Sequence, residues 1–181
     1  MKKIILFLLI ISSLYATSSE SKPYVGVSIG YLNENFSESD YDSFSTQVAT
    51  LKVGYGLINS YAVEFSFDYI PQNENIFSDS DKDRYGINLA VMKAFDFDTF
   101  AYPFFKAGFG AGYLDISDAN NDSLSYSSYN LGFGCFIPFR EHLDIEVGYR
   151  YRFASYEKIS ESSKSTNSHI NIGYVGINMR F

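Results

Sequence analysis

Along most of this chain, apolar and polar residues take turns. The alternation is sharpest in "LDIEVGYRYRF", where Leu143, Ile145, Val147, Tyr149, Tyr151 and Phe153 share one face and Asp144, Glu146, Gly148, Arg150 and Arg152 the other. "YAVEFSFDY" repeats it, with Tyr61, Val63, Phe65, Phe67 and Tyr69 opposite Glu64, Ser66 and Asp68. Side chains two apart share a face only in an extended strand, so each stretch predicts a strand with one greasy side. Eight such segments run over 24–32, 46–57, 61–70, 84–95, 101–114, 124–137, 143–153 and 169–181. None carries a 3.6-residue stripe, so helix is nearly absent.

The links between these segments alternate as well. "NENFSESDYDSF", "PQNENIFSDSDKD", "DISDANNDS" and "ASYEKISESSKSTNS" are long and polar; "INS", "DFDT" and "PFREH" are short. A Greek-key sandwich has no reason to sort its loops by length. An up-and-down barrel does, because every second connection emerges at the same rim. Fold class is therefore read as all-β, an eight-stranded antiparallel up-and-down barrel.

Charge follows the same division. The long links carry −4 at Asn33–Phe44, −3 at Pro71–Asp83, −3 at Asp115–Ser123 and zero at Ala154–Ser168, where Glu157 and Glu161 balance Lys158 and Lys164. Their total of −10 compares with −7 for the chain, or −9 once Lys2 and Lys3 are removed with a leader. The net charge is expected on one rim, and it excludes the basic surface that nucleic acid requires.

Lys2 and Lys3, the apolar run Ile4–Ile11 and the small residues ending at Ala16 have the order of a secretory signal. The run is far short of the roughly 20 residues that a membrane-spanning helix needs. Residues 1–16 are read as a cleaved signal, 17–22 as a short lead and 23–181 as the barrel. Cys135 is the single cysteine, so no internal disulfide can form. It lies on the apolar face and is read as a small hydrophobe.

Alternation alone does not say which face meets the barrel interior. A soluble lipocalin-like barrel turns its apolar face inward, and a membrane barrel turns it outward. Three features favour the membrane. Glycines crowd the polar face, at Gly26, Gly30, Gly54, Gly56, Gly86, Gly108, Gly110, Gly112, Gly132, Gly134 and Gly148; a narrow eight-stranded interior needs small residues beside large ones. Aromatics gather toward strand ends, as at Tyr61 and Tyr69, Tyr102 and Tyr113, Tyr151 and Phe153, where interfacial girdles lie. The expected inward charges also nearly balance, with Lys52, Arg84, Lys106, Arg150 and Arg152 against Glu64, Asp68, Asp144 and Glu146. Buried charges persist when paired, so these nine are the candidate interior ion pairs.

The chain ends in "INIGYVGINMRF", with Val175, Ile177, Met179 and Phe181 alternating. This strand, together with the architecture, resembles the small eight-stranded bacterial outer-membrane β-barrels of the OmpA/OmpX type. The resemblance implies that these four residues form the C-terminal signal read by the barrel-assembly machinery, and that both termini and the short turns face the periplasm. Ile170, Ile172 and Tyr174 fall on the other parity and suggest a bulge or an inward tyrosine. The lipid of the outer membrane and its lipopolysaccharide are the expected surroundings, for a monomer with no cofactor.

Some barrels of this kind are enzymes acting on lipid A, which require a nucleophile and a base. Ser168 and His169 with Glu157 or Glu161 make an imaginable constellation, but adjacent strand residues point to opposite faces. His142 belongs to a short turn. "DSDKD" at Asp79–Asp83 spaces its aspartates like a calcium loop but lacks the glycine and distal glutamate of an EF-hand. The expected function is structural or surface-interacting: a largely plugged barrel displaying four acidic loops, one of which could hold an extracellular ligand or cation. A small pore is the alternative, and a lipid A-modifying enzyme the remote one. No peptidoglycan-binding domain is expected after Phe181.

Overall fold

The computed structural model describes residues 21–37, 43–57, 60–71, 81–118, 121–157 and 166–181. Eight strands account for nearly all of them: β1 (Lys22–Phe36), β2 (Phe44–Gly56), β3 (Tyr61–Ile70), β4 (Asp81–Ala94), β5 (Tyr102–Asp118), β6 (Asn121–Arg140), β7 (Leu143–Tyr156) and β8 (Asn167–Arg180). Each pairs antiparallel with its sequence neighbour, and β8 returns to β1 to close the barrel. Closure runs from Tyr24 opposite Arg180 to Phe36 opposite Ser168. At the last residue, the Phe181 amide donates to the Pro23 carbonyl at 3.1 Å. No strand edge is left unpaired along this seam, as hydrocarbon demands.

The registers pair even numbers with even and odd with odd, slipping only near strand ends at Asp81/Arg84, Asp115/Asp118 and Pro138/Arg140. Antiparallel partners share a face, so one parity points inward all the way round. Among the described residues every buried one is even-numbered, from Tyr24 to Asn178. The exposed large hydrophobics are odd-numbered, apart from Phe100 in the β4–β5 turn.

Two sequence expectations change. The strands reach further toward the long-link rim than the alternation suggested. β1 continues to Phe36 and β4 begins at Asp81, while β5 and β6 flank only residues 119–120. Glu34, Asp81, Asp83, Asp115, Asp118 and Asp122 therefore belong to strands rather than links. Tyr102, expected in an outer girdle, is even-numbered and packs against an interior cluster. The N-terminal segment read as a signal, Glu38, Asp40, Asp42, Glu74, Asp79 and Glu161 lie outside the described residues.

Inward glycines make room for inward tyrosines. A Cβ on Gly54 would sit 2.2 Å from the Tyr24 ring, one on Gly148 2.6 Å from Tyr174, and one on Gly112 2.5 Å from the Tyr126 hydroxyl. At Gly56, which ends β2, φ is 155° and a Cβ would meet the Tyr61 carbonyl at 2.3 Å. Gly56 alone combines a side-chain clash with a backbone that other residues avoid.

Candidate functional site

The outward face carries a broad apolar band. Val25, Val27 and Ile29 of β1, Leu51 and Val53 of β2, Phe65 and Phe67 of β3 and Ile87, Leu89 and Val91 of β4 lie on it. Phe105 and Phe109, Leu131 and Phe133, Val147, and Val175, Ile177 and Met179 continue it round the barrel. Ile29 is 69% exposed and Val27 57%, far more than one side chain in a water-soluble domain explains when repeated on every strand. Toward the long links a tyrosine ring bounds the band, with Tyr31, Tyr69, Tyr85, Tyr113, Tyr129 and Tyr151. Neighbouring rings are close, Tyr69 to Tyr85 at 5.6 Å and Tyr85 to Tyr113 at 5.3 Å. Toward the short turns lie Tyr55, Tyr61, Phe139 and Phe181, with the Lys93 ammonium 4.2 Å over the Tyr61 ring. Rings with polar tips at both edges of a greasy belt match the two interfaces of a bilayer.

Beyond the tyrosine ring, the phase of the alternation inverts. Outward residues become polar: Asn33, Asn35, Ser45, Gln47, Ser125, Ser127, Ser155, His169 and Asn171. Inward ones become apolar: Leu32, Phe44, Val48, Ile70, Leu114, Leu124, Tyr126, Ala154, Tyr156, Ile170 and Ile172 form one buried cluster. The inward side chains of Ile170, Ile172 and Tyr174 thus fit without a bulge. β6 has 20 residues and β5 17, well over the 9–11 that cross a membrane as a tilted strand. The extra length is this rim, built like a small water-soluble barrel.

The interior within the band is layered. Near the short turns, Tyr24, Ala62, Met92, Ala94, Phe104 and Phe136 form a second apolar cluster. Between the clusters lies a charged middle layer. Glu146 accepts from Lys52, from Lys106 at 3.0 Å, and from the Tyr174 hydroxyl and Asn178 amide, both at 2.8 Å. Lys106 also spans both oxygens of Glu64 at 2.9 Å, and the Tyr24 hydroxyl donates to Glu64 at 2.9 Å. Asp68 accepts from Thr50 at 2.7 Å, Asn88 at 3.0 Å, Arg150 at 3.1 Å and Arg152. Arg152 Nε donates to Asn130 at 2.8 Å. All these carboxylates are buried, and each accepts several hydrogen bonds, the condition under which a buried charge is tolerated.

The other candidate charges sit at the two ends. Asp144 pairs with Arg180 near the short turns. Arg84 donates to Glu34 at 2.7 Å inside the rim cluster, its guanidinium 5.6 Å from both the Phe44 and Tyr156 rings. The Tyr156 hydroxyl holds the other Glu34 oxygen at 2.8 Å. Glu34 and Arg180 were absent from the sequence candidates. Glu34 was counted with a link; its even number, shared with every inward residue of β1, was the signal that would have placed it inside.

The remaining candidates separate. Ser168 is buried inside, while the His169 ring faces outward with its Nδ1 against the Tyr151 hydroxyl, so the two do not converge. Glu157 is exposed at the end of β7. Cys135 is a free, half-buried thiol on the outward face. Asp83 accepts from the Tyr69 hydroxyl at 2.8 Å. Val175, Ile177, Met179 and Phe181 all point outward, between 45% and 58% exposed.

A closed barrel of eight strands, greasy outside and ion-paired within, is a membrane architecture, and the family model for the outer membrane protein beta-barrel domain matches residues 4–175. The chain belongs to that family. Its place is accordingly the outer membrane. Among solved structures it is similar to Neisserial surface protein A, at 16% identity and a TM-score of 0.71, covering 90% of this chain and 100% of that one. Ail of Yersinia pestis, solved with the heparin analogue sucrose octasulfate, is 19% identical with a TM-score of 0.56, covering 88% and 99%. The N-terminal barrel of Pseudomonas aeruginosa OprF is 13% identical with a TM-score of 0.52, covering 86% and 97%. At these identities the likeness is one of fold. No curated protein sequence matches the chain.

Proposed function

We propose that this barrel is a structural and surface-presenting element of the outer membrane, closed to solute flow, with its long links displayed outside the cell. The observation that carries this reading is the interior. Apolar clusters occupy it at both levels, and the space left in the charged middle layer is a cavity of about 40 Å³, room for a few waters at most. A second cavity of about 20 Å³ beside Tyr24 and Met92 is smaller still. Val175, Ile177, Met179 and Phe181 are the proposed assembly signal, presented on the outer surface of the strand that closes the barrel.

The polyanion bound to Ail is not a model for the partner here. Between the observed strands the long links still carry −5, from Glu38, Asp40, Asp42, Glu74 and Asp79, with Glu157 and Glu161 balanced by Lys158 and Lys164, so charge complementarity favours a cationic protein surface or a divalent cation over a sulfated sugar. Catalysis has no support in the arrangement of Ser168 and His169. Single-channel recording on the refolded mature protein tests the reading. The expected trace shows no steady conductance; stable, sizeable openings would replace the presenting role with that of a small pore.

A further inference from the structure

The charged middle layer does not cancel. Among the described residues, Lys52, Lys106, Arg150 and Arg152 bring four cations, and Glu64, Asp68 and Glu146 three carboxylates, leaving one positive charge. The pairs at the two ends, Arg84 with Glu34 and Arg180 with Asp144, are neutral and do not correct it. An unbalanced charge between two apolar layers, inside a barrel set in hydrocarbon, carries a heavy desolvation cost unless a counter-charge accompanies it.

The donors for such a counter-charge are in place. The cavity of the middle layer is lined by Lys52, Arg150, Ser28 and Ser66, and also by Glu64, whose oxygens Lys106 and Tyr24 hold, and by Thr50, whose hydroxyl already donates to Asp68. Lys106 has its ammonium taken up by three carboxylate contacts, but Lys52 makes one, to Glu146. Arg150 gives one Nη2 hydrogen bond to Asp68, and its Nε has no acceptor in the protein. The excess charge and the unused donors thus fall on residues bordering the same space. Its volume of about 40 Å³ has room for a halide-sized ion.

We propose that the barrel binds a single monovalent inorganic anion, chloride under physiological conditions, in the middle-layer cavity between Lys52 and Arg150. The ion balances the interior and accepts the hydrogen bonds that Glu146 and Asp68 leave unmade. The site does not depend on whether the barrel conducts: a barrel that proves to be a pore could still hold the ion.

Bromide is the probe. Crystals of the refolded barrel grown in bromide should show an anomalous peak in the cavity, in contact with the Arg150 guanidinium and the Lys52 ammonium. In detergent, the wild-type protein should melt at a higher temperature in bromide or chloride than in gluconate at equal ionic strength. In Arg150→Gln the interior is neutral and that halide-dependent shift should vanish, whatever its absolute melting temperature. An empty or water-filled cavity in bromide crystals overturns the proposal. A halide shift that persists unchanged in Arg150→Gln overturns it equally, by placing the ion elsewhere.

Discussion

The same eight strands build two barrels of opposite polarity, one above the other. Between the short turns and the tyrosine ring, apolar side chains point out and charges point in. Above the ring, Asn33, Ser45, Ser127 and Asn171 point out, while Leu32, Phe44, Tyr126 and Ile172 point in. Backbone pairing is continuous through the change; β1 and β8 keep one register from Tyr24 to Phe36. Strand geometry therefore does not choose the greasy face. The surrounding solvent does, hydrocarbon over the lower part and water over the upper, and the tyrosine ring marks the crossing.

Mutations in the two parts sharpen this contrast. The largest effect is expected where the two parts join. Asp68 gathers Arg150 and Arg152 just beneath the rim cluster, so Asp68→Ala leaves the buried Arg152 and the half-buried Arg150 without a carboxylate and should cost about 3–5 kcal/mol in denaturant unfolding from lipid. Next comes the rim core. Ile172 has no accessible surface, so Ile172→Ala opens a cavity in the rim core and should cost about 2–5 kcal/mol; a loss near zero would deny that the rim has a packed core. In the band, Val147→Arg should cost about 2–4 kcal/mol if lipid covers that face. Above the ring, Asn171→Arg on the same side of the sheet should cost only about 0–1 kcal/mol. Equal penalties at Val147 and Asn171 would abolish the boundary.

The sequence shows a barrel far more readily than it shows this inversion. Alternation is visible wherever the two faces differ, so the strands, their order and the outward band could be read from segments such as "YAVEFSFDY". Where the phase flips, as in "SHINIGYVGI", apolar residues occupy both parities within one strand and the period is lost. That is why Ile170 and Ile172 suggested a bulge, and why "NEN" at 33–35 looked like a link although Glu34 is fully buried. The inward apolar layers were illegible for a related reason. Alternation implies a polar interior along the whole length, whereas most of the interior charge lies in a middle layer, with one ion pair at each end set among apolar clusters. Glu34 pairing with Arg84 fifty positions away depends on barrel closure and leaves no local trace.

The account turns on hydrocarbon covering the odd-numbered face of the lower barrel. Sedimentation and circular dichroism of the refolded mature chain, with and without detergent, test this most directly. Strand structure in a monodisperse barrel is predicted only when an amphiphile is present, with aggregation on its removal. A folded monomer in plain buffer would contradict it.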